Sequence, residues 1–348
     1  MNLFPPQDAK EIRTLLVIHQ GALGDFILAL PALEALRNAF PLAKLTLLGY
    51  PRILELAEKR FFADRILSID QKGMAAFFVQ EGDLDPALSR FFGQFDRVAV
   101  FGRDVAGALT TNMERVCRGR VLHINSFPRW DERIHVTAHL FREISRHGLA
   151  VTKTLPKIRL IEPDRIWGRD FWKNRGVTDA RRTGAVVLHP GSGSRKKVWP
   201  VEQFLDLAQY LQRHLSSQVL VVLGPAEGAA VQRAFERMRD GDNGAVFAKG
   251  LTLLQLAAVM EGCRLFIGND SGITHLAAAL GLPTVAIFGP TDPKVWSPLG
   301  EKVSVVCKGI PCSPCPQERF FVCQHGECMK SVETGDVLEG VKRVGIHL

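Results

Sequence analysis

The feature that most constrains the fold is a rhythm, heard twice. Short β-branched apolar runs alternate with amphipathic stretches over residues 14–124, and the alternation starts again over 185–306. In the first half, 14–19, 44–49, 65–69, 97–101 and 120–124 read as strands, with helical patterns between most of them. In the second, strands at 185–189, 218–223, 264–268, 284–288 and 302–306 are separated by helical segments at 201–215, 226–239, 252–261 and 271–280. Strands followed by crossover helices form βαβ units, so the expected class is α/β with two parallel sheets. Residues 162–184 are rich in charge and hold Pro163 and Gly176, which reads as a linker with a short helix. That places one domain over 1–160 and a second over 161–330. The segment 333–344 is amphipathic, so a C-terminal helix within 331–348 either packs back on the first domain or is a plain terminal helix.

With 348 residues, 46% of them hydrophobic, the chain has material for two packed cores. Residues 1–13 carry two prolines and mixed charges where a secretory signal needs an apolar run, so a cytoplasmic location is expected. The apolar stretch 276–290 is broken by Gly281 and Pro283 and is shorter than the roughly 20 residues a membrane span requires, so no transmembrane helix is expected. The net charge is +8, and residues 101–160 hold 11 Lys and Arg against 5 Asp and Glu. Such a face suits anionic lipid headgroups or a phosphorylated saccharide as well as plain solvation. Nucleic acid ranks last among its partners, because no aromatic stacking motif or zinc-finger pattern accompanies the charge.

Two loops between strand and helix carry chemistry. The first is Gln20-Gly21-Ala22-Leu23-Gly24-Asp25, entering a helix whose buried face is marked by Phe26, Ile27, Ala29, Leu30, Leu33 and Leu36. A carboxylate there would repel a phosphate, so the loop is read as presenting a base rather than cradling a pyrophosphate. Asp25 can accept a proton from a sugar hydroxyl, or it can simply cap its helix. The second loop is Pro190-Gly191-Ser192-Gly193-Ser194-Arg195-Lys196-Lys197-Val198-Trp199-Pro200. Small residues expose backbone N–H groups and three cations follow, a pattern suited to a diphosphate and lacking the Walker spacing; an exposed basic turn is the alternative. A third strand end, Asn269-Asp270-Ser271-Gly272-Ile273-Thr274-His275, again meets a helix N-terminus. There Asp270 and Ser271 can cap, the N–H groups of Ser271 and Gly272 can hold a phosphate or a sugar hydroxyl, and His275 faces either ligand or core.

Together these pieces resemble glycosyltransferase family 9, the bacterial ADP-heptose lipopolysaccharide heptosyltransferases. The resemblance rests on Gly21-Ala22-Leu23-Gly24-Asp25 with Leu30-Pro31, His189-Pro190-Gly191-Ser192 with Lys197-Val198-Trp199-Pro200, Asp270-Ser271-Gly272 with His275, and Phe288-Gly289-Pro290-Thr291-Asp292-Pro293. It implies a GT-B fold, two Rossmann-like domains facing across a cleft, the first binding the acceptor and the second the nucleotide sugar. It implies an inverting transfer of heptose from ADP-heptose, or a related nucleotide sugar, to the inner core of lipopolysaccharide, without a cofactor. Asp25 then looks like the general base and Lys197 like the cation that neutralises the departing diphosphate. Ser192, Gly193, Lys196, Asp270, Ser271, Gly272 and His275 fall to the donor, Gly24 and Arg103 to the acceptor. Lys196 adjoins Lys197 and can exchange roles with it. A lipid acceptor brings peripheral contact with the inner face of the inner membrane. Nucleotide-sugar epimerases share the architecture and form the competing enzymatic reading; a silent nucleotide- or lipid-binding module is the non-enzymatic one.

Two metal-like patterns remain. Asp83-Leu84-Asp85 has the form of a metal-bridging pair but precedes Pro86 and an amphipathic stretch, so it reads as a helix start. Cys307, Cys312, Cys315, Cys323 and Cys328 cluster with His325, and Cys312 and Cys315 have zinc-ligand spacing. Reduced thiols are the expectation there and no metal is assigned.

Overall fold

The computed structural model describes residues 12–117, 120–215, 217–224, 229–236 and 244–347. The expectation drawn from 1–13 therefore lies almost wholly outside the described residues, as do the ends of the expected helix at 226–239. The chain divides into two compact units, Met1–Arg159 and Leu160–Leu348.

The first unit runs β1 (Thr14–His19), α1 (Leu23–Ala39), β2 (Lys44–Gly49), α2 (Pro51–Leu54), β3 (Arg65–Ser68), α3 (Pro86–Phe92), β4 (Arg97–Phe101), α4 (Ala108–Val116), β5 (Arg120–Ile124) and α5 (Val136–Arg146). Its five strands are parallel in the order β3-β2-β1-β4-β5. β1 and β2 are nearly continuous buried apolar runs, as strands covered on both faces must be, whereas edge strand β3 is half-buried. α1 buries Phe26 to Leu33 without a break, so core surrounds it instead of touching one stripe. Pro31 removes one rung of its ladder, and Thr137 of α5 donates to the Leu28 carbonyl at 2.9 Å in the preceding turn. The reading of Asp83 and Asp85 holds: Asp85 Oδ1 accepts from the N–H groups of Ala87 and Leu88 at the start of α3.

The second unit runs α6 (Glu162–Lys173), α7 (Asp179–Thr183), β6 (Val186–His189), α8 (Val201–Leu215), β7 (Val219–Leu223), α9 (Ala229–Glu236), β8 (Val246–Lys249), α10 (Leu253–Met260), β9 (Leu265–Asn269), α11 (Gly272–Ala279), β10 (Thr284–Ile287), α12 (Pro293–Trp296), β11 (Val303–Val306), α13 (Gln317–Val322), α14 (Glu327–Lys330) and α15 (Thr334–Arg343). Its six parallel strands are ordered β11-β10-β9-β6-β7-β8. β8 escaped the sequence reading because it is a four-residue edge strand ending in an exposed lysine.

Two expectations are corrected. Residues 162–184 are not a linker: α6 lies against α10, where a side chain on Gly168 would meet the Ala258 carbonyl oxygen at 2.4 Å. The Trp172 indole N–H donates to Val259 O at 3.0 Å, and Phe171 and Trp172 are buried. The abundant charges of α6 masked a narrow apolar face. The C-terminal helix, one option for which was to cover the first domain, instead lies on β10, β11 and α8 of the second unit. There its Val337 and Val341 join Val285, Ile287 and Val306 in one apolar cluster.

Candidate functional site

In an open parallel sheet, ligand-binding loops gather at the carboxyl ends of strands flanking the point where strand order reverses. In the first unit those strands are β1 and β4, paired in register from Leu15 with Arg97 to His19 with Phe101. Gly21 to Asp25 leave β1 at this edge and Arg103 leaves β4 beside them. Gly24 and Asp25 lie in the first turn of α1, and Asp25 Oδ2 accepts from the Ala22 N–H at 3.0 Å. The capping role weighed in the sequence is thus present through one carboxylate oxygen. Gly21 is required: a Cβ there would fall 2.7 Å from both Asp25 Cβ and His19 Cε1. His19 lies behind the loop, accepts from the Gly21 N–H through Nδ1 at 3.3 Å and packs edge-on against Phe26. Burial pushes its imidazole from 6.5 down to about 4, so it is neutral at physiological pH. The sequence reading passed over His19, although its place as the last residue of a buried strand before the glycine turn was visible. Arg103 is exposed, its guanidinium 4.9 Å from the ring of Phe127.

In the second unit the reversal falls between β9 and β6. The loop after β6 and the loop after β9 are tied to each other by hydrogen bonds. Asn269 binds the first loop at both ends, accepting from Trp199 N–H at 3.0 Å and donating to Pro190 O at 2.8 Å. Trp199 is fully buried, and its indole N–H donates to Val332 O at 2.8 Å. Within this frame the Lys197 ammonium lies 2.8 Å from Asp270 Oδ2.

Three site expectations change in detail. Asp270 does not cap α11; Ser271 does, through the Thr274 N–H at 3.3 Å, while the Asp270 carboxylate turns to Lys197 and Thr291. The single hydroxyl proton of Ser192 goes to the Asp270 carbonyl at 2.7 Å, so this serine braces two loops together. Lys196 and Lys197 do not share a direction. Lys196 Nζ donates to Phe320 O and Phe321 O, each at 2.5 Å, because the 3-10 turn Arg195–Lys197 points successive side chains to different sides. Gly193 is exposed with open space at its Cβ position, Gly272 begins α11, and His275 is buried one turn further in. Thr291 carries a contact that the sequence reading did not foresee.

None of the seven cysteines forms a disulfide. Cys315, Cys323 and Cys328 line a cavity of about 480 Å³ with Arg195, Lys196 and Phe320. Burial, reinforced by the neighbouring thiols, pushes Cys328 up to about 11; the backbone N–H groups of Gly326 and His325 hold Cys323 below the usual thiol range. Among the described residues no group of three or more His, Cys, Asp or Glu stands where it could hold a metal ion. Nor is any described helix long and apolar enough to cross a membrane.

The family model for glycosyltransferase family 9 (heptosyltransferase) matches residues 122–321, more than half of the chain. The chain belongs to glycosyltransferase family 9. Among curated members, lipopolysaccharide heptosyltransferase 1 of Pseudomonas aeruginosa is 33% identical over 131 residues, which span 37% of this chain and 35% of that relative. Lipopolysaccharide heptosyltransferase 3 of Escherichia coli is 24% identical over 80% of this chain and 83% of its own length. Among solved structures, a family 9 glycosyltransferase from Veillonella parvula superposes with a TM-score of 0.76 at 22% identity, over 95% of this chain and 97% of that one. The ADP-heptose lps heptosyltransferase II of E. coli superposes with a TM-score of 0.72 at 17% identity, over 95% and 98%. The fold is therefore that of the GT-B family 9 enzymes, with two Rossmann-like units, and the protein is a glycosyltransferase.

Proposed function

We propose that the protein transfers a heptose from ADP-heptose to the inner core of lipopolysaccharide, with inversion at the anomeric carbon. The observation that carries this reading is the Lys197–Asp270 pair at the reversal point of the second sheet, beside the serine-capped N-terminus of α11. A cation and open helical N–H groups suit a diphosphate, whose charge grows as it leaves, and fixed donors favour that state most. The heptosyltransferases among its relatives support heptose as the sugar, and the E. coli enzyme that takes ADP-heptose supports that donor.

The reaction is a single displacement. The acceptor hydroxyl oxygen forms the new bond to the anomeric carbon, the bond from that carbon to the β-phosphate oxygen breaks, and ADP leaves with the bonding pair. Asp25 takes the hydroxyl proton. Lys197 meets the departing oxygens, and Asp270, released from it, accepts from sugar hydroxyls, with His275 beside it. Gly24 and Arg103 serve the acceptor. The lipid-linked acceptor brings the protein to the inner face of the inner membrane as a peripheral visitor.

Calorimetry across ADP-, UDP- and GDP-sugars, followed by product analysis with and without an acceptor saccharide, tests the proposal. Selective binding of the ADP-sugar and consumption of acceptor support it. Tight binding to a UDP-sugar with turnover in the absence of acceptor overturns it in favour of epimerisation.

A further inference from the structure

The Asp270 carboxylate has two donors on the same oxygen. Oδ2 receives the Lys197 ammonium at 2.8 Å and the Thr291 hydroxyl at 2.5 Å. The carboxylate is almost wholly buried, its side chain only 7% exposed, whereas Lys197 is 23% exposed and nearer to solvent. Thr291 comes from a different strand end, the loop between β10 and α12, and that loop is pinned where it leaves the sheet: Phe288 N–H donates to Val306 O at 2.9 Å. Asp270 N–H in turn donates to Ile287 O at 2.9 Å, so the two loops share a backbone bond just below the side-chain contact.

This arrangement solves an energetic difficulty that the proposed donor reading creates. For Lys197 to meet a diphosphate it must leave Asp270. A buried carboxylate stripped of this cation pays a large desolvation penalty, which would oppose binding. A hydroxyl that remains on the same oxygen reduces that penalty without competing for the diphosphate, because it is neutral and its proton already points at Asp270.

We infer that Thr291 is a positioning residue of the donor site: it holds Asp270 Oδ2 while Lys197 transfers to the diphosphate. The inference rests on the donor reading given above, and it concerns binding rather than bond breaking. With Oδ2 held by Thr291, the second oxygen keeps one direction and is available to the sugar.

The test is ADP titration by calorimetry of the full-length wild type and the variants T291V, T291S, K197M and K197M/T291V, with thermal unfolding of each and KM and kcat for the nucleotide sugar. T291V is expected to weaken ADP binding and raise the donor KM roughly tenfold, with a smaller effect on kcat, since a buried charged acceptor loses a donor. T291S, which keeps the hydroxyl, is expected to restore affinity. In the K197M background T291V is expected to add no further loss, because no lysine remains to be transferred. Wild-type affinity in T291V, failure of T291S to restore it, or the same loss in both backgrounds overturns the role of Thr291 while leaving the donor site intact. A wild type that binds none of ADP, UDP or GDP overturns the donor reading itself, and this inference with it.

Discussion

Lys197 Nζ stands 2.8 Å from Asp270 Oδ2, joining the loop after β6 to the loop after β9 through one ion pair. Removing one member leaves the other's charge in a desolvated place. Because Lys197 is partly exposed, K197M is expected to cost the second unit about 2 kcal/mol rather than the full value for a sealed pair. D270N should recover part of that loss when combined with K197M, so the double variant is expected to be more stable than the sum of the singles by about 1 kcal/mol. Urea unfolding of the four proteins measures the coupling; strict additivity would show that the pair contributes nothing.

Asp25 caps α1 through the Ala22 N–H and is the base in the proposed reaction. D25N keeps an oxygen for the Ala22 N–H and loses the basic carboxylate. Turnover is expected to fall by roughly 100-fold or more, with ADP affinity retained and the melting temperature within a few degrees of wild type. D25A should add a cap loss of about 1 kcal/mol to the same catalytic defect. Turnover near the wild-type level in D25N removes the base assignment.

Gly21 sets the spacing between His19 and Asp25. In G21A the new Cβ would lie 2.7 Å from atoms of both, so the carboxylate must move. A displacement of that order is expected to lower kcat by roughly 100-fold without changing ADP affinity. Steady-state kinetics beside an ADP titration separates the two quantities.

His19 makes stability depend on pH. Burial holds its folded pKa near about 4 against 6.5 in the open chain, so the unfolded form takes up a proton first. The neutral imidazole costs nothing above pH 6.5, and stability is lost progressively as pH falls from there to about 4, by up to about 3 kcal/mol. H19N retains an acceptor for the Gly21 N–H and cannot titrate. Chemical unfolding at about pH 7.5 and about pH 5 should show a smaller acid loss in H19N than in wild type; equal losses would exclude this histidine as the cause.

Chelation is expected to leave turnover unchanged. In the proposed reaction Lys197 supplies the positive charge that a divalent ion would otherwise bring to a diphosphate, and Asp85 of the Asp-x-Asp pair is committed to the first turn of α3. Assays with and without EDTA check this, and a fall restored by Mg²⁺ would refute it.

Most strands were legible because a strand covered on both faces has to be largely apolar: β1, β2 and β4 begin and end where the residue pattern changes. α8 was equally plain from its periodicity. The pattern reports which face is buried and is silent about what buries it. That is why α15 was offered a place on the wrong unit, and why α6, with six charged residues around Phe171 and Trp172, passed for a linker. At the candidate site, residue types pointed to Lys197 and Asp270 as separate members of one pocket. Their mutual pairing, the opposite heading of Lys196 and the donation from Thr291 depend on side-chain directions and on loops from three strands, none of which spacing along the chain encodes.

The anchoring of Trp199 to Val332, with α15 closing the core beneath, bears on how this protein comes into being on the ribosome. β6 to β11 can assemble into a sheet as they emerge, but the floor under Lys197 is built from residues synthesised more than a hundred positions later. A nascent chain halted before Val332 would carry every donor-site motif and still lack the latch that fixes them. The anchor of Trp199 is therefore completed only once Val332 has been made.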